Sequence, residues 1–119
     1  MLLDSNIVIY ATEPNYDAVR EFISGNTLSV SVVSKVEVLG YHQISDTNLE
    51  KLERIFQFLR VLPISELVIQ KAISLRQKRK MSLGDALIAA TALTHNLTIV
   101  TANEKDFSRI KNLKVINPV

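Results

Sequence analysis

Three carboxylates from distant parts of the chain stand where an acidic side chain would be costly without a partner. Asp4 follows two leucines and precedes an apolar run, Glu37 lies within VSKVEVLG, and Asp85 introduces the apolar stretch ALIAATAL. An unpaired carboxylate is expensive to bury, and acids gathered together repel one another. A divalent cation relieves both costs, so these residues are candidates for a metal site.

The other possible ligand residues limit which metal ion could bind and which reaction it would support. The sequence has no cysteine and only two histidines, His42 and His95, which we expect at the surface near helix C-termini and not as ligands. Oxygen ligands suit Mg²⁺ or Mn²⁺ better than zinc. Such an ion activates water and neutralises charge on a phosphodiester during in-line attack. The acids therefore predict phosphodiester hydrolysis with Mg²⁺ or Mn²⁺ as the cofactor.

Each acid also has a purely structural interpretation. Asp4 could accept backbone hydrogen bonds in a turn or cap the next helix. Glu37 could be a partly exposed helix residue, and Asp85 could occupy a first helical turn, where the helix dipole favours an acid. The argument for a site depends on convergence of the three, and hence on the elements that position them.

Apolar periodicity predicts strands that alternate with helices. A turn is expected at Glu13-Pro14-Asn15, between the first strand and the second. The predicted strands are residues 1 to 9, broken near the Asp4-Ser5-Asn6 triplet, then Leu28 to Val32, Val61 to Leu62, Leu97 to Thr101 and Leu113 to Ile116. The predicted helices are Ser34 to Gln43, Asp46 to Leu59, one capped by Ser65 that reaches Lys80, one opened by Gly84 and Asp85, and Lys105 to Ile110.

This alternation favours an α/β fold with a mostly parallel sheet and right-handed crossovers. We expect one domain over residues 1–119, because the chain is 47% hydrophobic and contains no linker-like segment. In such sheets, ligands bind beyond the carboxyl ends of the strands, where the strand order reverses. The segments that follow three predicted strands, Asp4-Ser5-Asn6, Ser34 to Glu37 and Ala102 to Asp106, should therefore share one edge.

Composition limits the partners and the compartment. A net charge of +2 permits a nucleic-acid partner without requiring one. The absence of cysteine fits a reducing cytosol. The opening stretch MLLDSNIVIYATE has polar breaks and no basic leader, so we expect neither a signal peptide nor a membrane span. These features predict a soluble, cytoplasmic protein.

One dense basic run is a candidate for contact with phosphate groups. It consists of Arg76, Lys78, Arg79 and Lys80. The alternative is a solvated helix end whose cations complement the helix dipole. If the partner is RNA, this run is the best candidate for binding its backbone.

Four stretches of the chain resemble the PIN-domain ribonucleases, especially the VapC toxins of toxin–antitoxin pairs. They are LLDSNIVIYA, SVVSKVEVLGY, MSLGDALIAATALTHNLTIVTANEKDF and LKVINP, and together they span nearly the whole chain. The resemblance implies a three-layer PIN-like fold, with helices flanking a central sheet. It also implies a metal-dependent endoribonuclease that cleaves RNA, is bound by a cognate antitoxin and forms a homodimer.

By the same resemblance, several residues match positions of the family's site. Asp4, Glu37 and Asp85 match its metal-binding, catalytic acids. Its polar supporting positions are matched by Ser5, Asn6 and Thr101.

The chain departs from the fullest acidic set of the family at Asn103, where many members carry Asp. The Asn103 amide oxygen can still bind a metal, but the lost negative charge puts a second metal position in doubt. Asp106 follows three residues later. It could supply a further carboxylate, directly or through water, or cap the short helix predicted after it.

Other functions remain open from the sequence. A phosphoacceptor signalling domain would need an acid after the central strand, and Val61-Leu62-Pro63 supplies none. A PIN-like module with a weakened acidic set could bind RNA or protein without cleaving. A PIN-like nuclease could also act in RNA maturation or on DNA flaps, although the absence of added domains favours the small toxin type.

Overall fold

The computed structural model describes residues 1–119, and its centre is a five-stranded sheet in which every neighbouring pair of strands is parallel. The strand order is β3-β2-β1-β4-β5. The α/β fold with a parallel sheet is thus confirmed. The strands are β1 (Leu2–Leu3), β2 (Ser29–Ser31), β3 (Arg60–Leu62), β4 (Ile99–Val100) and β5 (Val115–Ile116).

Six helices and one 3₁₀ turn connect the strands, and most of the helices begin at a polar cap. The side chains of Ser31, Ser45, Ser65 and Ser82 each accept a hydrogen bond from a backbone N–H in the first turn. None of the helices is both long and apolar enough to cross a bilayer. They are α1 (Ser5–Tyr10), α2 (Asp17–Ile23), α3 (Val32–Leu39), α4 (Asp46–Phe58), α5 (Glu66–Lys78) and α6 (Leu83–Thr94), and the 3₁₀ turn is Glu104–Asp106.

Apolar side chains pack against both faces of the sheet, because successive strand residues point to opposite sides. Leu2 and Ile99 join a cluster with residues of α5 and α6. Leu3 and Val100 join a second cluster with residues of α1 to α4. The result is a three-layer arrangement of helices, sheet and helices.

The strand order reverses at the centre of the sheet. From β1, the chain adds β2 and then β3 on one side, and it returns to the other side of β1 to add β4 and β5. The reversal therefore lies between β1 and β4, and a crevice is expected at the carboxyl ends of these two strands. Asp4 directly follows β1, and Thr101 directly follows β4.

The prediction of a strand continuing through Ile7, Val8 and Ile9 was wrong, since these residues lie in α1. Periodicity cannot separate a short buried helix from a strand. Here Asp4 takes the N-cap position, and its carboxylate accepts a hydrogen bond from the Ser5 N–H. That cap starts a helix where the apolar run alone predicts a strand.

Two other predicted helices also differ from the structure, and one observed helix has no predicted counterpart. Helix α3 begins after Ser31, whose Oγ accepts a hydrogen bond from Val33 N at 3.1 Å, and not at Ser34. It ends at Leu39 instead of reaching Gln43. The predicted helix Lys105 to Ile110 is only the 3₁₀ turn Glu104–Asp106, followed by irregular turns. Helix α2 was not predicted.

The strand used to set aside the phosphoacceptor function was misplaced. Val61 and Leu62 belong to β3, which lies at an edge of the sheet. The central strand is β1, and an acid, Asp4, follows it directly. Topology alone therefore does not exclude that function.

Candidate functional site

Asp4 is the centre of the site because its carboxylate joins the ends of both central strands. The residue is only 6% exposed. Its Oδ1 accepts a hydrogen bond from Ser5 N at 2.8 Å, and its Oδ2 accepts one from Thr101 Oγ1 at 2.7 Å. Thr101 Oγ1 in turn accepts a hydrogen bond from Asn103 N at 3.0 Å. Asp4 therefore caps α1 and at the same time fixes the segment after β4.

Glu37 reaches the same region from α3. The Ser5 hydroxyl donates a hydrogen bond to Glu37 Oε1 at 2.8 Å. On the other side, a Cβ placed on Gly84 would lie 3.0 Å from Glu37 Oε2. The Glu37 carboxylate is thus held between α1 and the first turn of α6, although the residue as a whole is exposed.

Gly84 is a site residue that the sequence analysis did not identify. It allows the Glu37 carboxylate to lie against α6 next to Asp85. The signal for it was weak but present, since a glycine inside a helical turn lowers helix stability and often has a packing reason.

Asp85 lies in the first turn of α6 and is half-buried. Its backbone N–H donates to Ser82 Oγ at 3.1 Å. The structural interpretations of Asp4 as a helix cap and Asp85 as a first-turn acid therefore both describe the fold. They do not exclude a functional role, because the two side chains also meet other acids.

The pKa shifts of Asp4 and Asp85 show which acids act electrostatically on one another. Burial raises the pKa of Asp4, the hydrogen bonds from Thr101 and Ser5 lower it, and the charges of Glu37 and Asp106 raise it further. Burial also raises the pKa of Asp85, its hydrogen bond with Ser82 lowers it, and the charges of Asp106 and Asp4 add to the increase. Four carboxylates from four segments of the chain therefore repel one another across this crevice.

The residues of the segment after β4 differ in how they interact with the acids. Asp106 lies in the exposed 3₁₀ turn, and its charge acts on both Asp4 and Asp85. For Asn103, only the backbone N–H is tied to the site, through Thr101, and its amide forms no hydrogen bond with the acids. Asn6 Oδ1 accepts a hydrogen bond from Ala102 N at 3.3 Å, which ties α1 to this segment.

The four carboxylates interact in pairs and do not close into a compact cage. No group of three or more acidic or histidine side chains is arranged to hold a metal ion by itself. His42 lies in an exposed turn, and His95 is exposed at the C-terminus of α6. A bound cation would therefore be only partly enclosed by the protein.

A wide cleft of about 1130 Å³ opens beside the acids, with Asp85 and Asp106 in its wall. The basic run predicted from the sequence contributes three cations to this cleft, and Lys78 is not among them. Two further cations come from the segment after β4, where they flank Asp106 in sequence without forming a dense run. The five cations, together termed the basic cleft below, are Arg76, Arg79, Lys80, Lys105 and Arg109.

Glu37 also lines a second, smaller pocket, of about 440 Å³. Its lining mixes apolar residues such as Ile9 and Leu52 with polar ones such as Asn48 and Lys51. Glu37 therefore belongs to two separate surfaces, the acidic site and this pocket.

Comparison with known proteins identifies the family. The model of the PIN domain matches residues 1–113. The chain belongs to the PIN-domain family. It is 30% identical to Ribonuclease VapC from Rickettsia bellii, over 98% of this chain and 94% of the relative.

Solved structures agree with this assignment. VapBC2 from Rickettsia felis, bound to a DNA fragment from its promoter, is 27% identical with a TM-score of 0.84, over 98% of this chain and 96% of that one. A toxin–antitoxin complex from Klebsiella pneumoniae is also 27% identical, with a TM-score of 0.79 over 99% and 97% of the two chains. The resemblance seen in the sequence is confirmed, and the PIN-like three-layer fold with it.

The raised pKa values of Asp4 and Asp85 predict how stability depends on pH. Because the folded protein holds these protons more tightly than the unfolded chain, it loses stability as the pH rises from about 3.8 through the folded pKa values. Asp4→Asn removes one of the two carboxyl groups with a raised pKa, and therefore part of this loss of stability. In urea unfolding with chelator, the variant should therefore gain stability relative to the native protein as the pH rises from about 3.8 toward neutrality.

Asp46→Asn is the control, because Asp46 is exposed in the first turn of α4 and is not among the charges that act on Asp4 or Asp85. Its difference from the native protein should stay constant over the same range. An Asp4→Asn difference that is independent of pH would show that the carboxylate is not under strain in the fold.

Proposed function

We propose that this PIN-domain protein is a Mg²⁺- or Mn²⁺-dependent endoribonuclease and the toxin of a toxin–antitoxin pair. The observation that carries the proposal is the buried Asp4 carboxylate at the reversal point of the sheet, on which the charges of Glu37 and Asp106 act, while Asp106 and Asp4 both act on Asp85. Relatives that align over almost the whole chain are named ribonucleases, which supports RNA as the substrate.

The residues present fit a divalent cation. Desolvation and like charges destabilise the ionised form of Asp4, and both effects are opposed by a nearby cation. The oxygen-only donor set suits Mg²⁺ or Mn²⁺. Mg²⁺ commonly takes one or two carboxylates and completes its shell with water and substrate phosphates, so the lack of a closed cage of three acids is compatible with it.

The ligands we propose are Asp4, Glu37 and Asp85, and Asp106 is better placed than Asn103 to complete the set, because its charge already acts on two of these acids. When bound, the ion supplies an activated water and charge neutralisation at the phosphodiester.

Hydrogen bonds within the chain hold the carboxylates of Asp4 and Glu37 in position. Thr101 and the Ser5 N–H fix the two oxygens of Asp4, so this carboxylate has little freedom to turn. The Ser5 hydroxyl holds Oε1 of Glu37 and leaves Oε2 without a hydrogen bond. That second oxygen, on an exposed residue, remains available to the ion or to the water that the ion activates.

Two partner proposals accompany the activity. The solved relatives include toxin–antitoxin complexes, which supports an antitoxin partner for this chain. We propose that an Arg or Lys of the antitoxin enters the acidic centre, formed by Asp4, Glu37, Asp85 and Asp106, and takes the place of the cation. Leu67 and Ile73 of α5 are 66% and 53% exposed, and such apolar exposure supports a homodimer.

The first test is metal dependence, read out through cleavage and stability together. Excess chelator should abolish RNA cleavage by the native protein. Mg²⁺ at about 100 times its dissociation constant should raise the free energy of unfolding by about 2.7 kcal/mol. Asp4→Asn and Asp85→Asn should lose cleavage and most of this gain, whereas the exposed control Asp46→Asn keeps both. Thermal melts and gel assays of cleaved RNA measure the two effects.

A purely structural role of these acids predicts a different pattern. Asn caps a helix about as well as Asp, so a purely structural role predicts little change in stability for Asp4→Asn, with no link to Mg²⁺. Cleavage that persists in chelator, or equal Mg²⁺ stabilisation of all the variants, would contradict the proposal. RNA binding without cleavage under any metal would instead support the weakened PIN module.

The position of Gly84 predicts a loss of rate without a loss of stability. In Gly84→Ala, the new Cβ meets Glu37 Oε2 at 3.0 Å and must push the carboxylate aside by a few tenths of an ångström. A 1 Å displacement can cost about 100-fold in rate, so we expect a smaller but measurable fall in kcat. Stability should be unchanged or up to about 1 kcal/mol higher, because Ala favours the helix.

Gly25→Ala is the matched control with the opposite pattern. Gly25 has a φ of 78° and no atom within 4 Å of an added Cβ. Its substitution should lower stability by about 1 kcal/mol, because an L side chain is strained there, and leave kcat unchanged. Equal kcat values for Gly84→Ala and the native protein would contradict the assigned position of Glu37.

Sedimentation velocity tests both partner proposals in one experiment. The chain alone should sediment as a dimer at micromolar concentration, and it should form a larger complex with its cognate antitoxin. Glu37→Gln combined with Asp4→Asn should still dimerise but bind the antitoxin more weakly, because a cationic side chain loses its partners. A monomer, or an unchanged affinity for the antitoxin, would refute the corresponding proposal.

A further inference from the structure

The basic cleft concentrates the positive charge of the molecule. Its five cations come from two segments, the end of α5 with the residues just after it and the residues after β4. Two carboxylates, Asp85 and Asp106, line the same cleft. The resulting excess of three positive charges is larger than the net charge of +2 of the entire chain. An anion approaching the protein is therefore attracted mainly to this surface.

The cations of the cleft are not used inside the protein. The chain forms two ion pairs, Arg20 with Asp17 and Arg54 with Glu50, and neither involves the cleft. Four of the five cations have exposed side chains, namely Arg76, Lys80, Lys105 and Arg109. The cleft can therefore present these cations to an anion from solvent.

The cleft also continues into the acidic centre. Asp85 and Asp106 are shared by both, since they line the cleft and act electrostatically on each other or on Asp4. A phosphate chain lying on the cations would therefore also lie beside Asp85 and Asp106. No aromatic residue lines the cleft, so bases have no stacking surface there.

From this arrangement we infer that the basic cleft is a backbone subsite for the RNA substrate, holding the phosphates on one side of the bond to be cleaved. The inference rests on the proposed ribonuclease function and adds Lys105 and Arg109 to its binding residues. Arg and Lys contacts with phosphates fix the register of a strand but carry no sequence information. The subsite therefore strengthens binding for every sequence equally.

The test compares two double variants of equal charge. Lys105→Gln with Arg109→Gln alters the cleft, and Lys71→Gln with Arg60→Gln is the control at exposed positions outside it. All four side chains are exposed, so both variants should fold, and thermal melts check this. Binding of a short, labelled single-stranded RNA of mixed sequence is measured in chelator, by fluorescence anisotropy, from about 50 to about 200 mM salt.

The slope of log affinity against log salt reports the number of phosphate contacts. Each contact with single-stranded RNA contributes about 0.7, so the cleft variant should lose about 1.4 from the slope and the control should lose nothing. In Mg²⁺, the cleft variant should cleave with a higher KM and an unchanged kcat, because neither residue belongs to the acidic centre.

The outcomes separate this inference from the proposed function. Normal cleavage by the native protein, with the same slope for both double variants, overturns the subsite and leaves the ribonuclease intact. An unchanged slope together with weaker binding of the antitoxin also overturns it, and makes the cleft a protein-binding surface. A reduced slope without any cleavage by the native protein supports the subsite for RNA binding, while the ribonuclease proposal fails.

Discussion

The hydrogen bond from Thr101 to Asp4 connects residues 97 positions apart, and the rest of the site depends on it. It joins the ends of β1 and β4 at the point where the strand order reverses. The same carboxylate starts α1, and α1 supplies the Ser5 hydroxyl that holds Glu37. One buried acid therefore sets the helix, the strand ends and the second acid, which explains why its structural and functional interpretations are both compatible with the fold.

The sequence predicted best the elements whose signals are local. Helix α4 carries apolar residues on one face with charges opposite, and α5 has a serine at its cap, so both were located closely. The residues Ile7 to Ile9 were misassigned because one buried turn of helix and a strand have the same apolar content. Helix α2 buries only Val19 and gives almost no periodic signal.

Parts of the site that depend on tertiary contact could not be read from the chain. Asp4, Glu37 and Asp85 were chosen because each is an acid in apolar surroundings, a local property. Gly84 matters only because α3 brings Glu37 against it, and Lys105 joins Arg76 only when the segment after β4 reaches the end of α5. Strand order also depends on contacts between distant residues, so the prediction that β3 is the central strand was wrong.

The place of β1 at the centre of the sheet has a consequence for synthesis. Its partner β4 and the acid Asp106 come about a hundred residues later, so the carboxylates cannot assemble on a partial chain. At about 5 to 20 residues per second, this delay is roughly 5 to 20 s. Until β4 emerges from the ribosome, a nascent chain has Asp4 but no finished centre, and translation that stops early yields a fragment without one.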